Sequence, residues 1–204
     1  MWWAALLNSF AAVLDSSGAG GAAASYESIA TATGTGSSGT ITFSSIPSTY
    51  THLQLRVMSK VTATGVASYP ATLRLNGATG SIYAEHFLYG DGASAGASAG
   101  NSPSTTSIAL WKISASSKTS SPDMANITGV MIIDIHDYAS ASKNKTIRYF
   151  AGVDTNSSVS NASYVTLGSG LYGATTAVTS LSIITDGGTN FTTSSVFSLY
   201  GIKG

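Results

Sequence analysis

The sequence predicts an all-β fold: an antiparallel β-sandwich of jelly-roll type, preceded by a short amphipathic N-terminal helix. Three observations carry that expectation. From Ser25 onward, apolar residues recur with period two in about ten short segments, the spacing of half-buried strands. Turn signals separate the segments at Gly34 to Gly39, Asn76-Gly77, Gly90-Asp91-Gly92 and Asp186-Gly187-Gly188. No convincing helical stripe interrupts this pattern, and no fixed-period repeat points to a solenoid or propeller.

The elements follow in chain order. Trp2, Trp3, Leu6, Leu7, Phe10, Val13 and Leu14 recur at three- and four-residue spacing, the apolar stripe of a short helix. Asp15 to Gly18 ends the stripe, and Gly18 to Ala24 reads as a Gly/Ala linker, so residues 1–24 form an anchoring helix with its tether. About 14 residues are too few to span a bilayer. A secretory leader needs a start with Lys or Arg, and the first Lys or Arg is Arg56. Residues 25–204 form the sandwich domain. Ile41 and Phe43 alternate with Thr, and Leu53, Leu55, Val57 and Val61 face away from Gln54, Arg56 and Lys60. Leu73 and Leu75 flank Arg74, and Tyr83, Phe87 and Tyr89 oppose Ile82, Ala84, His86 and Leu88. Further strands are expected over 107–114, 127–138, 146–154, 164–170, 178–185 and 195–202. Each is expected to turn an apolar face inward and a hydroxyl face to solvent. Gly90 to Ser107 and Ser114 to Asn126 read as long loops.

Composition narrows the function. Among 204 residues there are nine Lys+Arg, nine Asp+Glu and no Cys, while Ser, Thr, Gly and Ala number 35, 25, 22 and 28. Zero net charge offers no electrostatic footprint for nucleic acid. Without Cys there are no disulfides, thiolate catalysts or Cys-type metal sites. A surface this poor in charge must be covered by hydroxyls, small side chains and backbone.

Candidate catalytic groups do not assemble into a set. Asp134, His136 and Asp137 form the densest cluster, but polar residues there also mark a strand emerging into solvent. Glu85 and His86, near Asp91, read as a strand edge, and His52 as a partly buried polar residue. Gly34 to Gly39 has the spacing of a dinucleotide loop without a following helix. No nucleophile elbow, Walker motif or metalloprotease signature is present. Neither catalytic residues, metal nor cofactor is expected. Five Asn-x-Ser/Thr triplets, at Asn126, Asn144, Asn156, Asn161 and Asn190, slightly exceed what the composition yields.

Longer stretches of the chain are similar to one family. The strings Ile41-Thr42-Phe43-Ser44-Ser45-Ile46-Pro47 and Leu199-Tyr200-Gly201-Ile202-Lys203-Gly204 are the most specific. The Asn76-Gly77 turn after Leu73-Arg74-Leu75, and Leu88-Tyr89-Gly90, support them. Over Ser25 to Gly204 the chain resembles small structural proteins of tailed bacteriophages, especially phages of aquatic bacteria and cyanobacteria. That resemblance implies a virion β-sandwich and no catalytic residues. Residues 1–24 depart from the family pattern, which suits an attachment device particular to this chain.

The expected function is therefore a non-enzymatic virion structural protein, a tail fibre or tail-tip component. Trp2, Trp3, Leu6, Leu7, Phe10 and Val13 are expected to attach it to another virion protein or to sister subunits, with a trimer favoured. The alternatives are a capsid decoration protein, or a carbohydrate-binding module using Asp91, Ser94, Asn101 and Ser104 of the 90–107 loop on a host surface glycan. Tyr138, Tyr149, Tyr164 and Tyr172 read as packing residues first and sugar platforms second. No nucleic-acid partner and no membrane span are expected, and the location is the extracellular particle.

Overall fold

The computed structural model describes residues 25–63, 68–116, 126–155 and 163–204, with the side chains of 100–104 and 112–116 outside that set. The expected N-terminal helix also lies outside the described residues. Twelve strands make up the rest: β1 (Tyr26–Thr33), β2 (Thr40–Phe43), β3 (His52–Val61), β4 (Ser68–Leu75), β5 (Tyr83–Gly90) and β6 (Ala95–Thr105) in the first half. The second half supplies β7 (Ile108–Ser116), β8 (Gly129–Ile135), β9 (Lys145–Val153), β10 (Tyr164–Tyr172), β11 (Leu181–Thr185) and β12 (Val196–Ile202).

Their pairing is nested. β1 pairs antiparallel with β12, β2 with β11, β3 with β8, and β4 with β7. β12 also pairs with β3, and β11 with β4, which closes the two halves into separate sheets. Four nested antiparallel pairs divided between two sheets are the jelly-roll arrangement. β5, β6, β9 and β10 extend the first sheet beyond β8, giving the order β1-β12-β3-β8-β9-β10-β5-β6. The second sheet is β2-β11-β4-β7, and a short parallel contact of Lys60 and Val61 with Ala115 and Ser116 joins the two.

One core fills the space between the sheets. Leu53, Leu73, Leu75, Ile108, Leu110, Ile133, Ile147, Leu181, Ile183, Phe197 and Leu199 have no solvent exposure. Each comes from an inward position of an alternating strand, so the period-two pattern and the core are the same fact. Tyr138, Tyr149, Tyr164 and Tyr172 are buried too, as packing residues. The Tyr83 hydroxyl donates to the Leu75 carbonyl and accepts from the Leu75 amide, tying the crossing from one sheet to the other. That crossing begins at Asn76-Gly77, both with positive φ, as the dipeptide predicts.

The stretch from Gly90 to Ser107 is not a long loop. Asp91 to Ser94 makes a tight turn, and Ala95–Thr105 returns as edge strand β6, in register with β5 from Tyr83 to Gly90. Gly, Ala and Ser side chains are too small to show a contrast between faces, so the pattern could not reveal the strand. Gly96 is required there because the Tyr89 ring lies over it, leaving only 2.6 Å for an added Cβ. Likewise β7 runs on to Ser116, into the start of the second expected loop.

Candidate functional site

The two sheets present opposite outer surfaces. Outside the smaller sheet, Thr40, Thr42 and Ser182 stand in a hydroxyl layer, with Thr42 and Ser182 hydrogen bonded at 2.9 Å. This is the hydroxyl face the sequence leads one to expect. The outer face of the larger sheet is different. There Arg56, Ile132, Phe150, Leu167, Leu88 and Ala97 lie opposite one another across six neighbouring strands, from β3 to β6. Beside them runs a second row of Met58, Val130, Gly152, Val165, Gly90 and Ala95. A third row, Gln54, Asp134, Arg148, Ser169 and His86, is polar.

Phe150 is 56% exposed and Leu88 59%, large values for such side chains. All eight large hydrophobic side chains that are exposed among the described residues stand on this one face, Tyr26 included. Single exposed apolar residues are ordinary, whereas a contiguous set of them marks an interaction surface. Two shallow hollows shape it. One of about 640 Å³ lies between His86, Leu88, Ala97 and Leu167, and one of about 470 Å³ between Met58, Val130, Ile132 and Phe150.

The face carries two arginines and one carboxylate, and one of the arginines is neutralised. Arg148 donates to Asp134 at 2.8 Å, and Gln54 donates to the other Asp134 oxygen at 2.9 Å. Burial alone would raise the Asp134 carboxyl, but these two donors outweigh it and hold the group below the usual range. At the β1 end, the Tyr26 and Tyr200 rings stack at 4.7 Å, and the Arg56 guanidinium lies 5.7 Å from the Tyr26 ring centre. Aliphatic and aromatic chains beside one neutralised ion pair and a single further cation, Arg56, suit an apolar partner.

The other candidates disperse. Asp134 is committed to Arg148 and Gln54, while Asp137 pairs with Lys143 at 2.9 Å. The His136 ring meets His52 edge-on at 5.0 Å, and His52 Nδ1 accepts the Asp137 amide. Among the described residues, no three His, Asp or Glu side chains are placed to hold a metal. The Asp91 carboxylate accepts the amides of Ala93 and Ser94, which holds it below the ordinary carboxylate range and closes the β5–β6 turn. Asn101 and Ser104 belong to strand β6, with side chains outside the described residues, so the expected receptor loop is a hairpin. Trp2, Trp3, Leu6, Leu7, Phe10 and Val13 likewise lie outside the described residues.

Glu85 and His86 point to opposite faces of β5. His86 is exposed, whereas Glu85 is buried and accepts the Ala109 amide through Oε2. Burial pushes the Glu85 carboxyl up, and the Ala109 amide and His86 offset only part of that. A raised carboxyl contributes stability below its unfolded value of 4.5, and that contribution is lost as pH rises through the folded value. Glu85→Gln is therefore expected to be more stable than the parent at pH 7, with the advantage shrinking as pH falls through the raised folded value and gone below pH 4.5. Urea unfolding at pH 7 and pH 4 measures this, and an advantage independent of pH would contradict the assignment.

The sequence did carry a signal for the apolar face. Val130 to Ile133 is an unbroken apolar run, and so is Phe87-Leu88-Tyr89. Such runs belong to strands covered on both sides. Reading only the alternation hid the apolar character of the outer face.

No family model matches the chain, and no curated protein matches it. Among solved structures, a fructofuranosidase from Schwanniomyces occidentalis in complex with fructosylnystose is similar at 8% identity. The alignment covers 86% of this chain but 33% of the enzyme, with a TM-score of 0.24. The chain spans about a third of that enzyme, and a likeness this slight carries no argument about fold or activity. Among the described residues, no helix is long and apolar enough to cross a membrane.

Proposed function

We propose that this protein is a non-enzymatic structural subunit of a bacteriophage particle, a tail-fibre or tail-tip component that works by packing against other proteins. The observation that carries the reading is the apolar outer face, on which all eight exposed large hydrophobic side chains gather. A surface of this kind serves assembly. The family resemblance over Ser25 to Gly204 supplies the virion setting, and the dispersal of the titratable groups agrees with a protein that does no chemistry. Trp2, Trp3, Leu6, Leu7, Phe10 and Val13 attach the subunit to its neighbour in the particle, and sister subunits associate as a trimer.

Incorporation into particles tests the reading. Phage carrying Trp3→Asp with Leu7→Asp should contain at least tenfold less of this protein, while the purified variant keeps the parent melting temperature. Normal incorporation would refute the attachment role. Quantitative mass spectrometry of the parent particle tests the location: a few to tens of copies fit the tail. Hundreds of copies would instead make it a capsid decoration protein.

A further inference from the structure

We propose that in the free subunit the apolar outer face of the large sheet is covered by the chain's own N-terminal segment, Trp2 to Leu14. The inference concerns the isolated chain and stands or falls apart from the virion reading.

The shape of the face is the first argument. Its two rows cross β3, β8, β9, β10 and β5 and are apolar except for Arg56 at the β3 end. Four strand spacings of about 4.8 Å make the patch about 19 Å long. The two rows are two residues apart along each strand, so the patch is about 7 Å wide. One helix lying across the strands fits those dimensions, because 13 residues at about 1.5 Å each extend about 20 Å. The spacing of Trp2, Trp3, Leu6, Leu7, Phe10, Val13 and Leu14 supplies an apolar stripe of that length.

The tether is the second. The described chain starts at Ser25, and Tyr26 already stands on the outer face, stacked on Tyr200 beside Arg56. From β1 the near end of the patch, on β3, is two strands away, about 10 Å. The 11 residues from Asp15 to Ser25 reach up to about 36 Å when extended. A flexible tether of that length holds the segment at roughly millimolar local concentration, above that of any second copy in dilute solution.

Charge is the third. The face carries one neutralised ion pair and, at its β3 end, Arg56, and the segment is uncharged from Trp2 to Leu14. Its first charge, Asp15, falls at the tether end, where Arg56 stands. The most apolar surface of the folded domain and the most apolar stretch of the chain are thus joined by a linker long enough to bring them together.

Cross-linking in the full chain tests this directly, because the protein has no native cysteine. Leu7→Cys with Phe150→Cys, treated at micromolar concentration with a short bismaleimide, should give an intrachain product. Its yield should be at least tenfold above that of Leu7→Cys with Thr42→Cys on the outer face of the smaller sheet. Equal yields would overturn the proposal, as would an absence of product. Interchain product alone would overturn it in favour of a second copy's segment. A second measurement needs no cysteine. Leu167→Asp should raise iodide quenching of tryptophan fluorescence at least twofold while the melting temperature holds, and unchanged quenching in that folded variant would overturn the proposal. Particle incorporation plays no part in either result, so a failure here leaves the virion reading to its own test.

Discussion

Replacing Leu199 by Ala is expected to destabilise the domain by about 3–4 kcal/mol, the range for a fully buried leucine. Leu199 has no solvent exposure and lies in β12 between Ala30 of β1 and Leu55 of β3. It packs where the β1–β12 pair joins the β3–β8 pair, and the strands on both sides limit collapse into the cavity. For a domain of this size the melting temperature should fall by about 10 °C. The same substitution at Leu167, 49% exposed on the outer face of the folded domain, should cost less than about half as much, because a tethered segment covers it less completely than the core encloses Leu199. Thermal unfolding of the two variants side by side checks the face assignment. Equal losses would mean that the outer face is as covered as the core.

Lys145→Met is the second large effect, with an expected loss of about 3–5 kcal/mol. Lys145 is fully buried, yet its ammonium is satisfied: Nζ donates to the carbonyls of Ser140 and Lys143 at 2.6 Å and of Thr175 at 2.9 Å. Ser140 and Lys143 belong to the β8–β9 connection, and Thr175 follows β10, so one side chain ties two connections together. Methionine fills nearly the same volume but leaves three carbonyls without a donor. Denaturant unfolding measures the loss, and a change below about 1 kcal/mol would show that water replaces the ammonium without penalty.

Much of the fold was legible because one face of each strand is buried. β3 was read residue for residue from His52 to Val61, and β12 to within one residue, since Leu, Val and Phe alternate there with polar side chains. β6 escaped because its Gly, Ala and Ser residues are alike on both faces. Lys145 escaped as well: a lysine opening a strand reads as solvated, and only the carbonyls of the turn before it and of Thr175 after β10 make its burial tolerable. The apolar face was half legible. Runs such as Val130 to Ile133 were visible, but nothing along the chain said that Phe150, Leu167 and Leu88 would line up beside them.

By itself, then, the sequence determined most of the strands, their inward residues and the zero net charge, since these follow from side-chain period and composition. Only the tertiary structure decided that β5, β6, β9 and β10 join the first sheet and that the apolar side chains share one outer face. The physical reason is register. Cross-strand neighbours such as Leu88 and Leu167 are set by hydrogen-bond pairing between segments far apart in the chain, and no local pattern encodes that pairing.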